Sequence, residues 1–277
     1  MLTDIDRNLH VHTWLSTCAR SEHTLANVMS ECARLGYRWV AICDHHHEPE
    51  RDYEAMRRHN QRRIAALQPM YPQMRVVLGC EAQMDNPEHC SIDAELASRY
   101  DVVACACNHY GGKLVEWPPE RTSRGFAEHH LRMLHGAIAT GFVHVIVHPF
   151  INGDIGGVDA DQIHTSFYDG EIADVVAQAA AHGVAFEVNP YRAEPVAAWF
   201  REVVQAIRAA GGAVSLGSDA HRLVTLGYPR RDDPTRCYTW ADLDALFGLR
   251  PTDLFTPLGS AQARPQEEQV LLAGQEA

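Results

Sequence analysis

The chain has 277 residues, 46% of them hydrophobic and 22% charged, with a formal net charge of −12. This is the composition of a folded globular domain large enough to stand without disulfides, and the acidity argues against the basic face that nucleic-acid binding needs. No run approaches the ~18 apolar residues of a membrane span, and the eight cysteines show no framework spacing.

The stretch Met1 to Asp6 carries no cationic apolar leader, and scattered thiols suit a reducing compartment, so a cytoplasmic location is expected. In chain order, short β-rich runs alternate with helical segments. A strand over Arg7 to His12 precedes a helix over Thr24 to Leu35, stopped by Gly36 as a left-handed cap. A strand over Tyr37 to Cys43 leads to an Arg- and Ala-rich helix over Glu50 to Leu67, which ends before Pro69. Next come a strand over Arg75 to Glu81, a short helix over Asp93 to Arg99 and a strand over Asp101 to Asn108. A helix over Phe126 to Thr140, closed by Gly141, precedes a strand over Val143 to His148. A helix over Gly170 to His182, closed by Gly183, precedes a strand over Val184 to Asn189. A helix over Pro195 to Ala210 opens with proline in its first turn and leads to a strand over Ala213 to Asp219. A last helix covers Trp240 to Phe247. Residues 1–256 read as one domain, and the Gln/Glu/Ala-rich stretch 257–277 as a loosely ordered tail.

Runs such as Val143-His144-Val145-Ile146-Val147 suit parallel strands buried on both faces. Repeated β–α units then imply a doubly wound sheet or a barrel. The polar residues favour the barrel. His10 and His12, Asp44 and His45, Glu81, His109, His148, and Asp219 with His221 each close an apolar run. In parallel α/β barrels the site is built at the carboxyl ends of the strands. His10 and His12, two apart on a strand, share a face. Imidazoles and carboxylates hold zinc, manganese and iron. A lone buried histidine is more often a satisfied core group, but six clusters at six strand ends are not accounted for that way.

The set His10-Val11-His12-Thr13, Asp44-His45, Glu81, His109, His148 and Gly217-Ser218-Asp219-Ala220-His221 resembles the polymerase and histidinol phosphatase (PHP) family over about residues 7–225. The resemblance implies an α/β fold, a distorted TIM-like barrel of seven β/α units, and a two- or three-metal centre that hydrolyses phosphate esters. By the same resemblance, His10, His12, Glu81 and Asp219 hold one metal. Glu81 bridges to a second held by His109 and His148, and His45 and His221 hold a third. Cys18 is the departure, standing where many members carry histidine; a thiolate can still ligate zinc or iron. Asp219 is expected to accept the proton of the attacking water, and His221 or His45 to protonate the leaving oxygen.

Phosphate recognition needs cations or backbone donors. Arg192, at a strand end, and Lys113, in a glycine-flanked turn, are the preferred pair, with Arg124, Arg222 and Arg230 as further candidates. Asn189, Tyr110 and His46 are expected to face the substrate. The expected reaction is hydrolysis of a phosphate mono- or diester of a small metabolite (nucleotide, sugar phosphate or cyclic phosphate) by hydroxide held at two or three manganese, zinc or iron ions. The alternatives are amide or lactone hydrolysis at the same centre, and a non-catalytic metal-binding accessory protein. Neither a nucleic-acid nor a membrane partner is expected.

Overall fold

The apolar runs pair edge to edge in the order in which they occur along the chain. In the computed structural model, residues 4–48, 50–112, 114–150 and 158–257 are described; Lys113 and the expected tail beyond residue 257 lie outside them. The strands are β1 (Arg7–Val11), β2 (Trp39–His45), β3 (Arg75–Asn86), β4 (His89–Cys90), β5 (Val102–Ala106), β6 (Val145–Val147), β7 (Ala185–Val188) and β8 (Val214–Leu216). Seven of them run parallel in the order β1-β2-β3-β5-β6-β7-β8. The edges then meet: Val11 bridges Ala220, the Asp219 amide donates to the His10 carbonyl at 3.0 Å, and the His12 amide donates to the Ala220 carbonyl at 3.2 Å. The result is a nearly closed barrel of seven parallel strands wrapped by helices, the distorted TIM-like form expected, and the closure rules out an open doubly wound sheet.

Two core layers follow from strand alternation. One contains only strand residues, with Ala41, Cys43, Val77, Val102, Ala104, Ala106, Val145, Val147 and Ala185 at its heart. These mostly small side chains fill the barrel interior. The alternate positions, such as Val40, Ile42, Val103, Ile146 and Phe186, pack with helix residues such as Val28, Leu134, Val175 and Val204.

β3 overruns its expected end at Glu81 because Ala82 and Gln83 still pair with β5, and Met84 and Asn86 then pair with the returning strand β4. The helix expected from Glu50 starts at Tyr53, where the Asp52 carboxylate accepts the Ala55 amide at 2.8 Å. The helix Leu25–Leu35 is capped by Thr24 and stopped by Gly36 at φ 90°, as its sequence signals indicate. Among the described residues no helix is long and apolar enough to cross a membrane.

Candidate metal centre

The interior rows of the barrel end in polar residues at one mouth. On β3 the row Val77, Gly79 ends in Glu81, and on β7 Ala185 is followed by Glu187. Both carboxylates are essentially fully buried. Burying a carboxylate without partners is costly, and imidazoles surround Glu81. Its Oε1 lies 3.0 Å from His148 Nε2 and 3.6 Å from His109 Nε2. Its Oε2 lies 3.1 Å from His45 Nε2, 3.5 Å from His12 Nε2 and 3.7 Å from His10 Nε2, yet makes no hydrogen bond among the described residues.

The other nitrogen of each ring explains why those Nε2 atoms face inward. His10 Nδ1 is 2.9 Å from Glu187 Oε1, and His221 Nδ1 is 2.9 Å from the Asp219 carbonyl. His148 Nδ1 is 3.0 Å from Asn108 Oδ1, and His109 Nδ1 is 3.3 Å from Gln83 Oε1. His12 Nδ1 is 3.0 Å from Ser16 Oγ, whose own proton goes to Asp44 Oδ1 at 2.8 Å. Every one of these partners accepts, so each Nδ1 donates and, in the neutral ring, each Nε2 presents a lone pair. Two such lone pairs, on His10 and His12, point at each other across 3.0 Å. Facing lone pairs around an ionised carboxylate repel unless a proton or a metal cation sits among them, and a set of imidazoles and carboxylates is one that metals accept.

The ligand atoms fall into overlapping groups within 4.8 Å: His10, His12, Glu81 and Asp219; Glu81, His109 and His148; His12, His45 and His221; and His45, His47 and Glu81. Glu81 belongs to three of the four. His148 and Asp219 hold left-handed backbones at φ 35° and 53°, a strain that side chains other than glycine tolerate only when their surroundings impose it.

Charge within the cluster is distributed unevenly. Burial works to raise the Glu81 pKa, but the imidazoles of His10, His148 and His45 around its two oxygens hold it well below the carboxylate range. Burial opposes the His10 imidazolium, and Glu187 followed by Glu81 reverses this, leaving His10 well above its ordinary value. His109, by contrast, is pushed down to about 3 by burial and is ready to offer a lone pair.

The remaining candidates are placed as follows. Cys18 Sγ sits on the rim, 3.9 Å from His45 Nδ1; burial raises its pKa, but contacts with His221 and His45 bring it down to about 7. Arg192, about half exposed, donates to Asp219 Oδ2 at 2.6 Å. Asn189 acts on its own loop, capping the short helix that carries Arg192 and donating to the Ser218 carbonyl at 3.0 Å. His46 turns away from the cluster to Tyr100 and stacks on Tyr53, and its neighbour His47 faces His45 and His109 instead. Tyr110 packs on Phe126 and pairs with His129 at 2.9 Å. Arg124 is tied to Glu128 and Glu171, and Arg230 to Asp232 and Asp242.

Sequence reasoning passed over Glu187 and gave Asp44 no role of its own. Asp44 accepts from the Thr13 amide and hydroxyl, from Ser16 and from Asn60, so it clamps the loop that orients His12. The signal for Glu187 was a lone acid inside an apolar strand.

Gly217 allows the His10–Glu187 contact. A Cβ there would lie 1.9 Å from Glu187 Oε1 and 2.5 Å from His10 Cβ. Gly217→Ala is therefore expected to lower stability by about 1–3 kcal/mol through overpacking and to weaken metal binding about 10- to 100-fold through the displaced Glu187. Urea unfolding and metal titration measure the two effects, and unchanged values for both would remove this account of Gly217.

A family model for the PHP domain matches residues 8–157, more than half of the chain. The chain belongs to the PHP family. As a PHP member it is a metal-dependent hydrolase of the phosphoesterase type. Among solved structures, the histidinol phosphate phosphatase of Lactococcus lactis subsp. lactis Il1403, complexed with zinc, L-histidinol and phosphate, superposes with a TM-score of 0.57. The identity is 15%, over 79% of this chain and 87% of that one. A Listeria monocytogenes protein assigned as a histidinol phosphatase gives a TM-score of 0.56 at 12% identity, over 83% of this PHP chain and all of its own. At such identities these two likenesses establish a shared fold.

Proposed function

We propose that this PHP chain hydrolyses a phosphate mono- or diester of a small molecule at a centre of two or three divalent ions, zinc, manganese or iron. The observation that carries this reading is Glu81, a buried carboxylate shared by ligand groups on both of its oxygens. Bound metals would supply hydroxide at neutral pH and neutralise charge on the phosphoryl oxygens.

The chain's own residues have distinct parts in this reading. His10, His12, Glu81 and Asp219 hold one ion, and Glu81, His109 and His148 a second. His45 and His221, with His12 and the Cys18 thiol beside them, hold a third. Arg192 lies against Asp219 at the mouth and donates to a phosphoryl oxygen, a task its planar fork suits. Burial works to raise the Asp219 pKa, but His12, His10 and Arg192 outweigh it and hold it well below the carboxylate range. Asp219 therefore stays ionised and orients the attacking water better than it stores its proton. His221 and His45, at the rim, are placed to protonate the leaving oxygen when they are not engaged as ligands. The zinc and phosphate bound by the Lactococcus lactis protein are consistent with this reading. Arg192 favours a phosphoester over the amide or lactone alternative, which would not call for a guanidinium there.

The test combines elemental analysis of protein purified without chelator with turnover of a panel of phosphomonoesters and cyclic phosphodiesters. Two to three equivalents of metal and turnover of at least one ester are expected. Arg192→Gln is expected to lower kcat/KM about 10- to 100-fold, the loss of a charge-assisted contact. Full metal content with no phosphoester turnover would shift the reading to amide or lactone substrates.

A further inference from the structure

Next to Asp219 the barrel mouth opens into a cleft of about 680 Å³ lined by Arg192, Arg222, Arg231, Tyr191, Val224 and Pro229, among others. Three guanidinium groups lining one cleft are a marked local excess in a chain of net charge −12. Among the described lining residues Asp219 is the sole acid, and Arg192 already pairs with it. Some arginines elsewhere in this fold are neutralised by carboxylates, as Arg124 is by Glu171 and Arg208 by Asp253. Arg231 instead donates to the Tyr191 carbonyl at 3.1 Å and lies over its ring at 4.9 Å, contacts that leave its charge unbalanced. Arg222 is exposed, and no carboxylate among the described residues pairs with it. The same cleft is lined by the exposed ring of Tyr191 and the exposed Val224 side chain.

We propose that this cleft receives the leaving group of the substrate, and that the leaving group carries an oxyanion of its own, a carboxylate or a second phosphate, held by Arg222 and Arg231. Its organic body lies against Tyr191 and Val224. The inference rests on the phosphoesterase reading and narrows its substrate class to small phosphoesters with a second anionic end. An amine-bearing leaving group such as L-histidinol, cationic at neutral pH, would be repelled by this cleft. In the reaction a water oxygen bonds to phosphorus and the bond from phosphorus to the ester oxygen breaks. One water proton passes to the leaving oxygen, giving a free hydroxyl compound that still carries its anion, and the phosphate departs separately.

The experiment is calorimetric titration of the zinc-loaded full chain with benzylphosphonate, 4-carboxybenzylphosphonate and 1,4-xylylenebisphosphonate. At least one of the two doubly anionic ligands is expected to bind about tenfold more tightly than benzylphosphonate, a typical gain for one charge-assisted contact. Which of the two binds better tells carboxylate from second phosphate. In the Arg222→Gln/Arg231→Gln variant that ratio is expected to fall to near one. Equal affinity for all three in the unmodified protein would overturn the inference. Turnover of phenyl phosphate and 4-carboxyphenyl phosphate by the same sample separates the two readings. Hydrolysis with no preference in binding or in kcat/KM removes the second-anion site alone. A binding preference without hydrolysis of any ester supports the cleft and removes the phosphoesterase reading.

Discussion

Glu81→Gln is expected to strip the centre to at most one equivalent of metal and to lower turnover by about 10³-fold or more, the several kcal/mol that metal charge supplies in a transition state. The substitution keeps the shape and removes one charge. The two Glu81 oxygens face different histidines, His148 and His109 on one side and His45, His12 and His10 on the other. An amide offers a single acceptor oxygen and an NH₂ group that faces a cation unfavourably. Elemental analysis measures the first effect and kcat/KM the second. Melting curves taken in chelator show whether the variant still folds. Two equivalents retained in a folded variant would remove the bridging role proposed for Glu81.

Acidification is expected to unfold the protein well before its carboxylates are neutralised. His23 and His46 are pushed down to about 4 and His130 to about 3, each chiefly by burial, and none belongs to the ligand groups. In the unfolded chain these imidazoles return to about 6.5. Between pH 6.5 and 4 the unfolded state therefore binds more protons than the folded one. The stability these groups contribute is present above pH 6.5 and is lost as pH falls towards their folded values. Each contributes a slope of about 1.4 kcal/mol per pH unit, so the three together approach ~4 kcal/mol per unit. Against a typical total of about 5–15 kcal/mol that slope is decisive. Loss of metal acts in the same direction, because protons compete for the same imidazole nitrogens. Urea midpoints measured in chelator at pH 7.5, 6 and 5 read the histidine contribution alone. A midpoint that stays level across that range would show that burial of these rings does not govern acid stability.

Much of this molecule is legible in its sequence because one rule, strand alternation, does most of the work. It places His10 and His12 on one face, sets Glu81 on the row of Val77 and Gly79, and brings the ends of all seven parallel strands to one mouth. What alternation cannot reach is the contact made across the closing seam or in the turns beyond the strands. Glu187 meets His10, 177 positions away in sequence, only because the last strands return to β1. The choice between His46 and His47 rests on the turn after β2, where the His46 amide bonds the Glu81 carbonyl at 2.7 Å and its ring swings to Tyr100. Arg192 was visible as a cation at a strand end. Its pairing with Asp219, and the company of Arg222 and Arg231, needed the folded loops.

The Asp44 clamp joins the outside of the barrel to its chemistry. Asn60, on the helix Tyr53–Leu67, donates to Asp44 at 2.7 Å; Ser16 donates to the same carboxylate at 2.8 Å; and His12 donates to Ser16 at 3.0 Å. A slide of that helix along the barrel wall would draw the His12 ring with it. The seating of an outer helix and the aim of the His12 ring are thus a single mechanical adjustment, reaching the barrel mouth through residues that lie outside it.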